Sequence, residues 1–298
     1  MKHSKLKILA GFLGLFVIFT ASVAALGLGG LLQSASGDAA LLKLSGTITP
    51  TSSGFASSGI TPEHVRDLNQ KVRNGGYDAV VYEINSGGGS VVASKEIKRA
   101  IDNIEVPTVC RFRDISASGG YMIAMGCDRI IADSATITGS IGVTSSYLEY
   151  SGAMDKIGVE YVNISAGKYK QVGSPFTNTT EQDKEVLQDM AVDIQDEFID
   201  MVDKNRNLTQ AEIEEVQTAK IFLGQEARNL SLVDSLGGRA QAVESAEKLT
   251  NKDLQLRELE TRQTEGLLSL FLSNTGLGNV LADLGLGTGV QTPLSARY

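Results

Sequence analysis

The chain reads as an α/β domain built on a largely parallel sheet. Two observations predict it. Short apolar runs bounded by Gly, Pro or Asn alternate with amphipathic helical patterns. The run at 78–84, Asp-Ala-Val-Val-Tyr-Glu-Ile, has the nearly continuous apolar character of a buried strand and leads through a Gly-rich turn into a helix. A third observation makes a packed core attainable: 42% of the 298 residues are hydrophobic and 21% charged, ordinary for a globular chain that needs no disulfide or metal to fold.

The first seven residues carry Lys2, His3, Lys5 and Lys7, and residues 8–32 then contain no charge. That apolar stretch is long enough to span a bilayer, which predicts a transmembrane anchor. The basic flank places residues 1–7 in the cytoplasm and the bulk of the chain outside it. A cleaved signal peptide is the competing reading, with a mediocre cleavage site at Ala21-Ser22-Val23-Ala24-Ala25. Residues 33–39 read as a linker, 40–263 as the folded domain, and 264–298 as a Leu/Gly-rich tail too broken to span a membrane.

Within the domain the first strand is expected at 40–48 and a Ser/Thr/Gly-rich loop at 49–60. A helix follows from Pro62 to about Asn74, closed by Gly75-Gly76, and then the strand at 78–84. The turn Asn85-Ser86-Gly87-Gly88-Gly89-Ser90 opens a helix over 91–104, with strands at 107–112, 129–132 and 136–143. Between the first two of these strands, Ser118-Gly119-Gly120 opens a helix ending near Cys127. Residues 151–157 read as helix and 159–165 as extended. A long amphipathic helix is expected over 180–205, where Leu187, Met190, Ile194, Phe198 and Met201 recur every three or four positions as a core or subunit contact. Shorter helices are expected at 208–216 and 225–230.

Composition removes several functions. The formal charge is −8 and no basic block follows the N-terminus, which argues against nucleic acid as a partner. Two His and two Cys, with no H-E-x-x-H or C-x-x-C spacing, argue against a metal site, and no cofactor motif is present. His64 reads as a surface residue in the first turn of a helix, which leaves a Ser-His-Asp or Cys-His enzyme without its base. Cys110 and Cys127 read as two small buried residues, with a disulfide as the alternative in an oxidising compartment.

Chemistry concentrates at two turns that follow strands, 85–90 and 116–121, because parallel sheets build sites at the carboxyl ends of their strands. From local residues alone Ser118 reads first as a helix cap. As a nucleophile it needs a base. Without a usable His that base is Lys, Asp or Glu, and Lys170 sits among small, aromatic and apolar residues able to shield an amine. The alternative for Lys170 is a solvated loop lysine. Gly87-Gly88-Gly89 lacks the rest of a phosphate-binding motif and reads as a tight turn.

In order along the chain stand Ile84-Asn85-Ser86-Gly87-Gly88-Gly89-Ser90-Val91, Ser116-Ala117-Ser118-Gly119-Gly120-Tyr121, Gly139-Ser140-Ile141-Gly142-Val143 and Gly167-Lys168-Tyr169-Lys170 with Ser174-Pro175-Phe176. Gln225-Glu226-Ala227 and Leu232-Val233-Asp234-Ser235-Leu236-Gly237-Gly238 follow. Together they resemble the prokaryotic signal peptide peptidase A family in its short single-copy form, over residues 40–249. The resemblance implies a Clp protease/crotonase-like fold of stacked β-β-α units, which follows the transmembrane helix read from residues 8–32. It implies a Ser–Lys dyad of Ser118 and Lys170, an oxyanion hole of the Gly119 N–H with one from Gly88 or Gly89, and no cofactor. Ser116 and Lys168, two residues away, are the alternatives. It further implies a homo-oligomeric ring in which neighbouring subunits share a site, and residual signal peptides as substrates, met close to the bilayer. Gly87 stands where relatives carry Pro, which frees one φ and leaves the oxyanion donor open. Other readings are a protease of stomatin-like partners, a catalytically silent membrane scaffold, and an acyl-CoA enzyme of the crotonase type.

Overall fold

The computed structural model describes residues 35–51 and 59–259. The apolar run 8–32 and the tail from 264 lie outside them. Among the described residues no helix is long and apolar enough to cross a membrane.

The sheet is mostly parallel and is ordered β6-β5-β3-β2-β1-β8, with β4 on β3 and β7 on β4. Strand β1 (Ala35–Ser45) pairs with β2 (Ala79–Ser86) on one side and with β8 (Lys252–Glu258) on the other. It starts inside the stretch expected as a linker, because Ala35 to Asp38 pair with Lys252 to Gln255, a strand 217 residues away that local pattern does not reveal. Strand β3 (Thr108–Ala117) divides its far edge. Val109 to Phe112 pair with β4 (Arg129–Ala132), and Ile115 to Ala117 pair with β5 (Ile137–Gly139). The strand expected over 136–143 stops at Gly139 because Gly139 and Ser140 take φ of 78° and 51°, outside any strand conformation. Strand β5 pairs antiparallel with β6 (Ile221–Leu223), and β4 parallel with β7 (Ser235–Leu236).

The helices, in order, are α1 (Pro62–Gly75), α2 (Val91–Asp102), α3 (Gly119–Ala124), α4 (Ser151–Ile157), α5 (Glu181–Arg206), α6 (Gln210–Gln217), α7 (Gly224–Asn229) and α8 (Arg239–Thr250). Alternation along the strands builds two cores. Leu42, Leu44, Tyr82, Ile84 and Phe112 meet the apolar faces of α1, α2, α3 and the end of α5. Leu41, Val81, Val109 and Ile131 meet Ala242 and Ala246 of α8 on the other face. With both faces covered, β2 is the continuous apolar run that the sequence shows.

Two expectations are corrected here. Cys110 and Cys127 form a disulfide, with Cα atoms 5.7 Å apart. The return of the chain from α3 to β4 is pinned beside β3 by Asp128, whose carboxylate accepts from the Thr108 N–H (2.7 Å) and Oγ1 (2.9 Å), and this brings the two thiols together. Residues 159–165 form no strand and are exposed to solvent.

The stripe on α5 also divides. Phe198, Ile199 and Val202 are core, while Met190, two turns earlier, is 56% exposed. Before it, residues 142–180 form an excursion in which Ser151 alone is buried. Leu148, Ile157, Val162 and Ile164 stand open on it.

Candidate active site

After a bulge past Ile84, the β2–β3 register sets Ser86 beside Ser116. The turns 86–90 and 116–120 are thereby laid side by side, and they touch so closely that only glycine fits. A Cβ on Gly120 would lie 2.4 Å from the Ser86 carbonyl oxygen. One on Gly88, whose φ is +102°, would lie 2.8 Å from the Gly119 nitrogen and 2.9 Å from the Ser118 Cβ.

Ser118 sits where strand becomes helix, with φ 52° and ψ −123°. A non-glycine residue in this region is strained by about 1–3 kcal/mol and needs its surroundings to hold it. They do so through the backbone. The Ser118 N–H donates to the Gly139 carbonyl (2.9 Å), and its own carbonyl accepts from the Tyr121 and Met122 N–H groups (3.0 and 2.9 Å). Tyr121 is fully buried and donates its hydroxyl to the Leu232 carbonyl (2.8 Å), fastening α3 from below. The Ser118 side chain makes no capping hydrogen bond. The helix-cap reading is therefore overturned, and the hydroxyl remains uncommitted and half-buried at the turn.

Ser116 is different. It is completely buried and its Oγ donates to the Gly120 carbonyl (3.0 Å), so it is committed to the scaffold. The Gly88 N–H is also committed, to Ser86 Oγ at 3.1 Å. The Gly89 and Gly119 N–H groups have no hydrogen-bond partner among the described residues, and they are neighbours: a Cβ on Gly119 would be 3.2 Å from the Gly89 nitrogen. Ser86, at 1% exposure, is the residue that sequence reasoning passed over. Its only signal was its place before three glycines.

Lys170 is exposed in the 142–180 excursion, where its N–H donates to the Gly167 carbonyl (3.2 Å). No hydrogen bond joins its Nζ to Ser118. Lys168 is exposed too, its Nζ 4.7 Å from the Tyr169 ring centroid. His64 is half-buried in the first turn of α1, and burial lowers its pKa below the usual histidine value. It contributes only its backbone N–H, to Thr61 Oγ1, in the hydrogen bonds of that turn.

A serine held in a strained strand-to-helix turn, with its hydroxyl free and two amide N–H groups unpaired beside it, defines the class: a serine hydrolase on a mixed α/β sheet. The comparisons name the family. Residues 100–253 match the model of peptidase family S49. An inferred protease of Methanocaldococcus jannaschii is 31% identical over 237 residues, 76% of each chain. An inferred signal peptide peptidase SppA of Enterococcus faecium is 34% identical over 65% of this chain and 58% of its own. The chain belongs to peptidase family S49, the signal peptide peptidase A family, and is a serine peptidase. Among solved structures, the membrane-bound stomatin-specific protease 1510-N superposes with a TM-score of 0.50 at 13% identity, over 76% of this chain and 99% of that one, a likeness of fold.

Proposed function

We propose that this protein is a membrane-anchored endopeptidase in which Ser118 of one copy and Lys170 of a neighbouring copy form the dyad. The observation that carries the reading is the Ser118 turn, whose strained backbone leaves the hydroxyl free beside the unpaired Gly89 and Gly119 N–H groups. Lys170 lies on an exposed excursion with open apolar side chains, which suits contact with a second copy of the chain.

In this reading Ser118 Oγ attacks the scissile carbonyl carbon as its proton passes to Lys170 Nζ. The carbonyl oxygen takes the negative charge between the Gly119 and Gly89 N–H groups. Gly88 gives the space for this, since its own N–H is held by Ser86. The C–N bond then breaks and Lys170 returns the proton to the leaving amine. Water, deprotonated by Lys170, attacks the ester carbonyl, the bond between the acyl carbon and Ser118 Oγ breaks, Lys170 returns the proton to Oγ, and the acid product leaves. A lysine acting as base works in its neutral form, so activity rises toward alkaline pH.

The apolar run 8–32 supports an anchor with the domain outside the cytoplasm, and the Cys110–Cys127 disulfide fits an oxidising compartment. Residual signal peptides and other apolar or unfolded peptides are the substrates we infer. The site is not at the point where the chain enters the domain. Strand β1 carries eleven residues from Ala35 toward the turns, roughly 35 Å at the usual rise per residue. An extended peptide of about eleven residues spans that distance.

The test is the full-length protein in detergent with a fluorogenic apolar peptide. Ser118→Ala and Lys170→Ala each abolish hydrolysis. When the two are co-assembled at equal ratio, activity returns to about a quarter, the chance that an intact Ser118 meets an intact neighbouring Lys170 in a mixed ring. No recovery on mixing overturns the shared dyad, and hydrolysis surviving both substitutions overturns the site.

A further inference from the structure

Helices α1 and α2 turn their apolar positions to the sheet, but the seam between them facing solvent is polar and opens into a cavity of about 490 Å³. Arg66, Asn69, Gln70 and Arg73 line it from α1, and Glu96 and Arg99 from α2. Three guanidinium groups therefore face one carboxylate, in a chain whose net charge is −8. The charges are unevenly arranged. At one end Arg66 stands 3.5 Å from Glu96. At the other, Arg73 donates from one nitrogen to the Asn103 carbonyl (3.1 Å), and Arg99 has no partner among the described residues. Arg66 and Arg73 are seven residues apart, about 10 Å along the helix.

Position adds a second argument. Gly75 at the end of α1 is followed by β2 at Ala79, and Asp102 at the end of α2 by β3 at Thr108. The Arg73–Arg99 end of the cavity is thus at the end of the sheet where the strands begin. The β1–β2 register sets Ala39 opposite Ala79, so the start of β1 at Ala35 lies at this same end. Three residues before it, the apolar run ends at Leu32. The Ser118 turn lies at the opposite end of the strands.

We propose that the Arg73–Arg99 end of this cavity binds the phosphate of an anionic phospholipid headgroup and so holds this end of the domain on the bilayer. Planar guanidinium forks match phosphate oxygens two at a time, and Glu96 confines the anion to the end away from itself. This inference rests on the anchor reading above, because it is the anchor that sets the cavity beside lipid.

The test is calorimetric titration of the full-length protein in neutral detergent with short-chain phosphatidylglycerol, with phosphatidylcholine, and with glycerol phosphate. The expected result is saturable binding of phosphatidylglycerol at least about tenfold tighter than of the other two. Arg73→Gln with Arg99→Gln loses that binding by a similar factor and hydrolyses a soluble peptide at the parental rate. Equal binding of glycerol phosphate overturns the lipid assignment in favour of a soluble phosphate. Binding unchanged in the double variant, or absent in the parent, overturns the site. The titration needs no insertion, so it fails separately from the anchor, which carbonate extraction of membranes tests, and from the dyad.

Discussion

The buried Ser86 hydroxyl accepts the Gly88 N–H at 3.1 Å, and this bond removes Gly88 from the free amides of the glycine turn. Gly88 is tied back, Ser90 donates to the Ile48 carbonyl (2.9 Å), and Gly89 is left facing the Ser118 turn unpaired. Ser86 is thus a positioning residue for the proposed oxyanion donor. Ser86→Ala should lower kcat about ten- to a hundredfold, less than the 10²–10³ of losing a donor outright, with KM little changed. Steady-state kinetics check it, and a raised KM at parental kcat would contradict the assignment.

Glycine substitutions should separate contact from exposure. Gly120→Ala pushes a Cβ against the Ser86 carbonyl, so it should be inactive and destabilised by about 1–3 kcal/mol. Gly152→Ala, in α4, meets nothing within 4 Å and should gain about 0.5–1 kcal/mol from helix propensity. Paired thermal melts read both.

Removing the disulfide should loosen the unit that carries Ser118, because Cys110 lies on β3 and Cys127 just past α3, on either side of that serine. Replacing both by Ser should cost about 3 kcal/mol, from the freed closure of a short loop. The urea midpoint measures it, with reduction of the parent protein giving the same shift.

Glu83 should make stability depend on acid. It is 1% exposed on β2, where Arg239 holds it through two nitrogens (2.6 and 2.8 Å) and Arg111 through one (3.1 Å). The hydrogen bonds from Arg239 lead the effects that hold its carboxyl below the usual glutamate range. A folded pKa below the unfolded one gives stability that is complete above the ordinary glutamate value. That stability is lost as pH falls through the lowered one. Glu83→Gln should flatten this acid limb and cost about 1–3 kcal/mol at neutral pH, since the partly buried Arg111 loses its counter-charge while the exposed Arg239 regains water. Denaturant titrations across the acid range test both.

Both glycine turns, the strands before them and the amphipathic α5 were legible in sequence because each is written in a local pattern of turn residues or spacing. The β1–β8 pairing was not, because its partners are 217 residues apart, and the short β6 and β7 have no period to read. Cys110 and Cys127 looked like separate small core residues because their approach depends on how Asp128 folds back onto Thr108. Ser118 looked like a helix cap because Ser is a favoured residue at a helix N-terminus. Its φ of 52° is imposed by contacts with Gly139 and α3.

By itself the sequence determined the family and the residue types at the site, since both reside in the order and composition of short motifs. Only the tertiary structure decided which groups remain free to act. Ser116 and Gly88 are tied up by Gly120 and Ser86 within their own turns, and Ser118, Gly89 and Gly119 are left unpaired, because the conformation of each turn is set by its packing against the other.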